Sequence, residues 1–198
     1  MNKPIAYLIL IIAIVVTLPI FFITIPLLII LYNGLVKKRN HVAFSFSGVD
    51  VALQNRGELI PNLVASVKAY MFHEKSTLHD ITALRNKLLE VDPQSSKRFG
   101  MENELTGLLK NLMVTVESYP DLKASENMLH LQRSLNEMEE KISASRRAYN
   151  AAVMNLNNAI ETFPSNVMAS VYNFKMSPFF KADESARAVP ILKEGFNK

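Results

Sequence analysis

The residues able to do chemistry are few, and their spacing does not suit them to it. Four histidines, His41, His73, His79 and His130, are the natural metal ligands or general bases of the chain. A helix offers two ligands to one ion at a spacing of three or four, whereas His73 and His79 are six apart and face different ways. "HEKSTLHD" sets Glu74 and Asp80 beside them and superficially resembles a zinc-protease helix, yet it lacks the His-x-x-x-His pair. These histidines read as solvated helix surface, and no metal site is expected. With no cysteine there is no disulfide framework, thiolate site or cysteine nucleophile. The six glycines are scattered, so no phosphate-cradling loop exists, and serine nucleophile motifs are missing as well. The stretch from Glu139 to Arg147 reads as an exposed face with local ion pairs, and Arg146 and Arg147 as solvated rather than as a partner contact. The expectation is a protein that is not an enzyme, with no catalytic residue, no cofactor and no evident small-molecule substrate.

The asparagines carry more interest: Asn33, Asn62, Asn150, Asn157, Asn158 and Asn166. Asn150 and Asn157 are seven apart, each beside an apolar residue of one helical seam, Tyr149 and Leu156. Buried amides in such places fix register and oligomeric state. Amides flanking the core and bonding water would look the same in sequence, and both readings stay open.

These residues must be positioned by helices. The chain has 198 residues, enough for one domain with an anchor. From Ile5 to Leu31 no residue is charged, a run of 27 that as a straight helix extends about 40 Å against a hydrocarbon core of about 30 Å. A membrane span follows, with its ends in the headgroup layer and some bending at Pro19 and Pro26. Each proline frees a carbonyl four residues back, and the Thr17 and Thr24 hydroxyls stand nearby to help. The repeat "TLPIFFI-TIPLLII" puts both Thr-x-Pro units on roughly one face, as tolerated kinks or as a packing face between protomers; a re-entrant hairpin is a third reading, disfavoured because each half is too short to span. The run is about twice the apolar region of a cleaved signal peptide and no small-x-small site follows it. Lys37, Lys38 and Arg39 outweigh Lys3 and the α-amino group, so the positive-inside rule places the N-terminus outside and the main domain in the cytoplasm. The net charge of +4 is largely that cluster, which speaks against nucleic acid as a partner.

Past the anchor, apolar residues keep helical spacing from Val42 through Phe46, Val49, Leu53, Ile60, Leu63, Val67 and Tyr70 to Leu78, Ile81, Leu84 and Leu88. The spacing predicts one long helix, bent or restarted at Gly57 and Pro61, with the Asn62 amide on the carbonyl that Pro61 frees. "VDPQSSKRFG" ends it. A second helix uses Leu105, Leu108, Leu109, Leu112, Val116 and Tyr119. A third, capped by Ser125 and stopped by Pro164, follows a coiled-coil-like seam from Met128 to Phe163. The fold class is therefore all-α: an N-terminal transmembrane helix over 1–31, then a domain over 32–198 built as an antiparallel bundle of three long helices with a C-terminal helical element. The tail, rich in Val167, Met168, Val171, Tyr172, Phe174, Phe179 and Phe180, is expected to fold back and close the bundle. Alternatively Phe179 and Phe180, beside Lys175 and Lys181, dock on a neighbouring protomer or dip into the membrane surface.

"YNGLVKKRNHV" after the apolar run, "VDVALQNRGELIPNLVASVKAYMFHE", "YNAAVMNLNNAIETFPSN" and "FFKADESARAVP" occur in family order across essentially the whole chain, and the sequence resembles the LemA family. "LIPNLV" with "FPSN" is the specific combination. Phe44 and Phe46 stand where the family often has tryptophan, and "MNLNNAI" lacks a second tyrosine. The resemblance implies a bacterial inner-membrane protein with an N-terminal anchor, a short outside N-terminus, a helical domain and no established activity. Long seams, a packing face in the anchor and an apolar tail lead us to expect a non-enzymatic scaffold at the lipid bilayer. It would act by homo-oligomerisation or by binding envelope proteins. The alternative is a transmembrane sensor or regulatory adaptor of another membrane protein such as a protease.

Overall fold

The computed structural model describes residues 3–71 and 73–181; expectations that fall on the last part of the tail, 182–198, lie outside the described residues. Six helices follow one another: α1 (Lys3–Lys68), α2 (Lys75–Leu88), α3 (Ser96–Val116), α4 (Pro120–Lys123), α5 (Glu126–Glu161) and α6 (Ser165–Val171). No strand occurs among the described residues. The protein is all-α, with long helices at α1, α3 and α5.

The first helix departs from expectation at its end. It stops at Lys68, where Tyr70 and Met71 both bond the Val67 carbonyl, and α2 begins separately at Lys75. Val67 and Leu78 are eleven residues apart, close to three helical turns, so the apolar phase carries over the break and periodicity cannot reveal it. Pro19, Pro26 and Pro61 all lie within α1 without interrupting it.

The described residues form two compact units. The first comprises 3–43 with Ala152–Ser177, the second Phe44–Ala151 with 178–181. In the second unit, buried residues recur every third or fourth position on α2 (Leu78, Ile81, Leu84, Leu88) and α3 (Leu105, Leu109, Leu112, Val116). They pack with Ile60, Leu63, Val67, Met71, Leu122, Met128 and Leu135 into one core. Ser95 caps α3, its hydroxyl accepting from the Arg98 N–H at 3.2 Å. Pro120 opens the single turn of α4, where a missing N–H costs nothing.

In the first unit, Leu35 of α1 meets Met168 and Ala169 of α6, with Leu31, Ala159, Ile160 and Phe174 around them. Helix α6 closes with Asn173 in the left-handed region (φ 54°), the Phe174 N–H returning to the Ala169 carbonyl at 2.9 Å and the Asn173 N–H to Ser170 at 3.3 Å. The ring of Tyr32 lies 4.8 Å from that of Tyr172, and Arg39 stands over the Phe174 ring at 5.5 Å. The apolar side chains from Phe21 to Ile30 are exposed. Thr24 donates to the Phe21 carbonyl at 3.3 Å, one residue short of the carbonyl that Pro26 frees.

Candidate functional site

The second unit has an arginine at its centre. Val49, Arg56 and Leu63 are successive heptad positions on α1, and each is fully buried at 0% exposure. An ion taken out of water is tolerated only when its donors are met. Arg56 Nη1 donates to Thr106 Oγ1 at 2.6 Å and to Glu139 Oε1 at 2.7 Å, while Nη2 donates to the carboxylate of Glu102, itself buried on α3. Arg98 stands 3.6 Å from the other oxygen of Glu102 and donates to Asp50 at 3.2 Å. Arg146 of α5 borders the group. Its pKa falls to about 10, first because burial disfavours its charge and then because Arg56 repels it, with Glu139 and Glu102 opposing.

From Arg146 the network reaches the tail. Arg146 Nη1 donates to Asn103 Oδ1 at 2.9 Å, and Asn103 Nδ2 donates to the Lys181 carbonyl at 2.9 Å. The Arg146 guanidinium lies 4.0 Å over the Phe180 ring, which stacks on Phe99 at 4.1 Å. Phe46 and Tyr149 continue that aromatic cluster, and the Tyr149 hydroxyl donates to the Pro178 carbonyl at 2.9 Å. Burial raises the Tyr149 pKa. Asn150 grips Phe180 by both peptide groups: Nδ2 donates to its carbonyl at 2.9 Å, and Oδ1 accepts its N–H at 2.8 Å. The first unit repeats the device, Asn157 holding Ser177 by donating to its carbonyl and accepting its N–H, both at 3.0 Å. An extended segment has unmet peptide groups, and a side-chain amide supplies both partners at once.

The structure thus answers the open question about Asn150 and Asn157: both bond the chain's own tail. Phe180 is buried in the second unit at 4% exposure, whereas Phe179 is 42% exposed. The expectation that the tail folds back holds for 178–181. Glu139 and Arg146, read from sequence as solvated, instead face Arg56 and Phe180. Gly57 and Pro61 lie on α1 beside α2; the freed Gly57 carbonyl accepts from Arg85 Nε at 3.3 Å, and Asn62, expected in that role, is exposed. Arg56 and Glu102 were missed, although the seam positions of Arg56 (Val49, Leu63) and of Glu102 (Phe99, Leu105, Leu109) were the signal available.

Chemically, this arrangement holds helices and tail. A cleft of about 280 Å³ beside Gly57 has Asp50, Arg98 and Arg85 in its walls, all engaged with protein groups. Among the described residues no group of three or more His, Asp or Glu is placed to hold a metal.

The sequence past the apolar run decides the family. Residues 45–193 match the family described as LemA family. The chain belongs to the LemA family. It is 28% identical to Protein LemA of Metamycoplasma hominis over 171 residues, 84% of this chain and 78% of that protein. It is also similar to Magnetosome protein MamQ of Magnetospirillum gryphiswaldense, 26% identical over 83% of this chain and 70% of the relative. Magnetosome protein MamQ 2 of Paramagnetospirillum magneticum is 33% identical over 93 residues, 47% of this chain and 34% of that protein. LemA family membership and these relatives indicate a membrane-associated protein, and helix α1 is long and apolar enough to cross a bilayer.

Proposed function

We propose that this LemA family protein is a membrane-anchored, non-enzymatic helical scaffold that acts by protein–protein contact, assembling with copies of itself or holding another envelope protein. One observation carries the reading. The buried Arg56 is engaged by the buried Glu102 and the partly exposed Glu139, while the apolar side chains of Phe21 to Ile30 on α1 are exposed. An apolar surface of that extent is covered by lipid or by protein in the working molecule. The basic cluster Lys37, Lys38 and Arg39 after the span supports a cytoplasmic main domain. The similarity to proteins named for the magnetosome fits a part that organises rather than catalyses.

The test is the mass of the full-length protein in mild detergent across a range of concentrations. A defined multimer supports self-assembly. A monomer at every concentration removes it and leaves capture of a second envelope protein, read by a stoichiometric partner on pull-down.

A further inference from the structure

We propose that the corner joining α5 to α6 is a second membrane contact, its apolar side chains lying in the headgroup layer where α1 leaves the hydrocarbon. This rests on the reading that the apolar stretch of α1 spans a bilayer, and adds a lipid-binding surface to the folded domain.

Exposure is the first observation. Phe163 is 79% exposed, Val167 54% and Val171 70%. Val167 and Val171 are one turn apart on α6, while Met168 and Ala169 between them are buried against Leu35. A single exposed apolar residue is ordinary, but three grouped on one corner, with Tyr172 beside them, form a patch that water does not favour.

Position is the second. Helix α6 packs on Leu31 and Leu35, and Tyr172 on Tyr32, so the corner is fixed at the end of the apolar run that stops at Leu31. Tyr32 and Tyr172 suit that depth, because an aromatic ring with a polar tip favours the membrane–water boundary.

Charge is the third, and it selects the occupant. This unit, residues 1–43 and 152–177, carries five of the chain's 22 lysines and arginines but only one of its 18 acids, Glu161; the remainder of the chain keeps 17 of each. The whole formal excess of +4 therefore lies here. Lys37, Lys38, Arg39 and Lys175 beside an apolar patch suit an anionic lipid surface. A second copy of this unit would bring the same cations against them.

The chain has no tryptophan, so a single introduced one reports its own surroundings. Phe163→Trp, Val167→Trp and, within the span, Phe22→Trp are made separately in the full-length protein. Each is reconstituted in phosphatidylcholine–phosphatidylglycerol vesicles carrying bromine at shallow or deep positions of the acyl chain. The expected result is a blue-shifted emission at 163 and 167, quenched more by shallow bromine than by deep bromine and shielded from acrylamide. Phe22→Trp is quenched in the same vesicles. Tryptophans at 163 and 167 that acrylamide reaches and bromine does not, with Phe22→Trp still quenched, overturn the inference alone. Shielding from both quenchers at 163 and 167 overturns it in favour of a protein covering the corner. Loss of bromine quenching at Phe22→Trp as well would sink the spanning reading, and the inference with it.

Discussion

Arg85 Nε on α2 donates to the Gly57 carbonyl on α1 at 3.3 Å, and Gly57 stands four residues before Pro61. That carbonyl lacks its usual helical donor because proline has no N–H. A helix breaker inside α1 thereby becomes an attachment point for the neighbouring helix, and α1 continues through it.

The coupling is measurable. Arg85→Met should cost about 1–2 kcal/mol, the net worth of a hydrogen bond from a charged donor at a partly buried site. Pro61→Ala restores an N–H that reaches the Gly57 carbonyl within the helix. In that background Arg85→Met should cost less, with a coupling of roughly 0.5 kcal/mol or more by urea unfolding of the full-length protein in detergent. Equal costs in both backgrounds would show that Arg85 does not serve the proline's carbonyl.

The Arg56–Glu102 pair should behave non-additively. Glu102→Leu leaves a fully buried guanidinium without its buried carboxylate, held by Thr106, Glu139 and the carbonyl of residue 102, and removing one partner of a buried pair typically costs about 3–5 kcal/mol. Arg56→Met in turn leaves the buried Glu102 carboxylate with Arg98 as its remaining ion-pair partner. The double variant Arg56→Met/Glu102→Leu removes both charges and should be more stable than either single one. Thermal unfolding that ranks the double variant lowest would mean the pair contributes net stability.

What the sequence made legible follows from what periodicity can carry. The all-helical class, the apolar run and the seam of α5 are repeating signals, and each reappears in the structure. The break between Lys68 and Lys75 left none, because the phase on its two sides agrees and neither glycine nor proline marks it. The polar network was hidden for a different reason. Arg56 and Glu102 occupy seam positions, but a charged residue there reads as an interruption until its partners, 46 and 83 residues away, are known. Asn150 and Asn157 were visible as unusual amides, yet nothing local to α5 says that their partners are peptide groups of the tail.

Those amides give a direct test of how the tail is held. Asn150→Ala removes both bonds to Phe180, a loss of about 1–3 kcal/mol for two hydrogen bonds. Phe180→Ala removes a buried ring stacked between Phe99 and Arg146 and should cost more, about 3–5 kcal/mol. In both variants the Phe179–Phe180 segment should become cleavable by chymotrypsin under conditions where the parent resists. Unchanged protection in both would show that other contacts hold the segment.

The Tyr149 hydroxyl ties stability to alkaline pH. Burial raises its pKa above the ordinary 10.0, so the unfolded chain loses the phenolic proton first. Its contribution is fully present below pH 10 and is lost as pH rises through the folded-state value. Arg146 has the opposite sign: its folded pKa of about 10 lies well below the ordinary guanidinium value, so the unfolded chain holds the proton longer and stability rises with pH in between. Tyr149→Phe should therefore cost about 1 kcal/mol at neutral pH, through the lost bond to the Pro178 carbonyl. Above pH 10 the same variant should lose less stability with rising pH than the parent, because only the Arg146 contribution of the two remains. Urea midpoints at pH 8 and pH 10.5 for parent and variant decide it. A gap between them that widens at the higher pH would mean that the phenol is not the group that titrates.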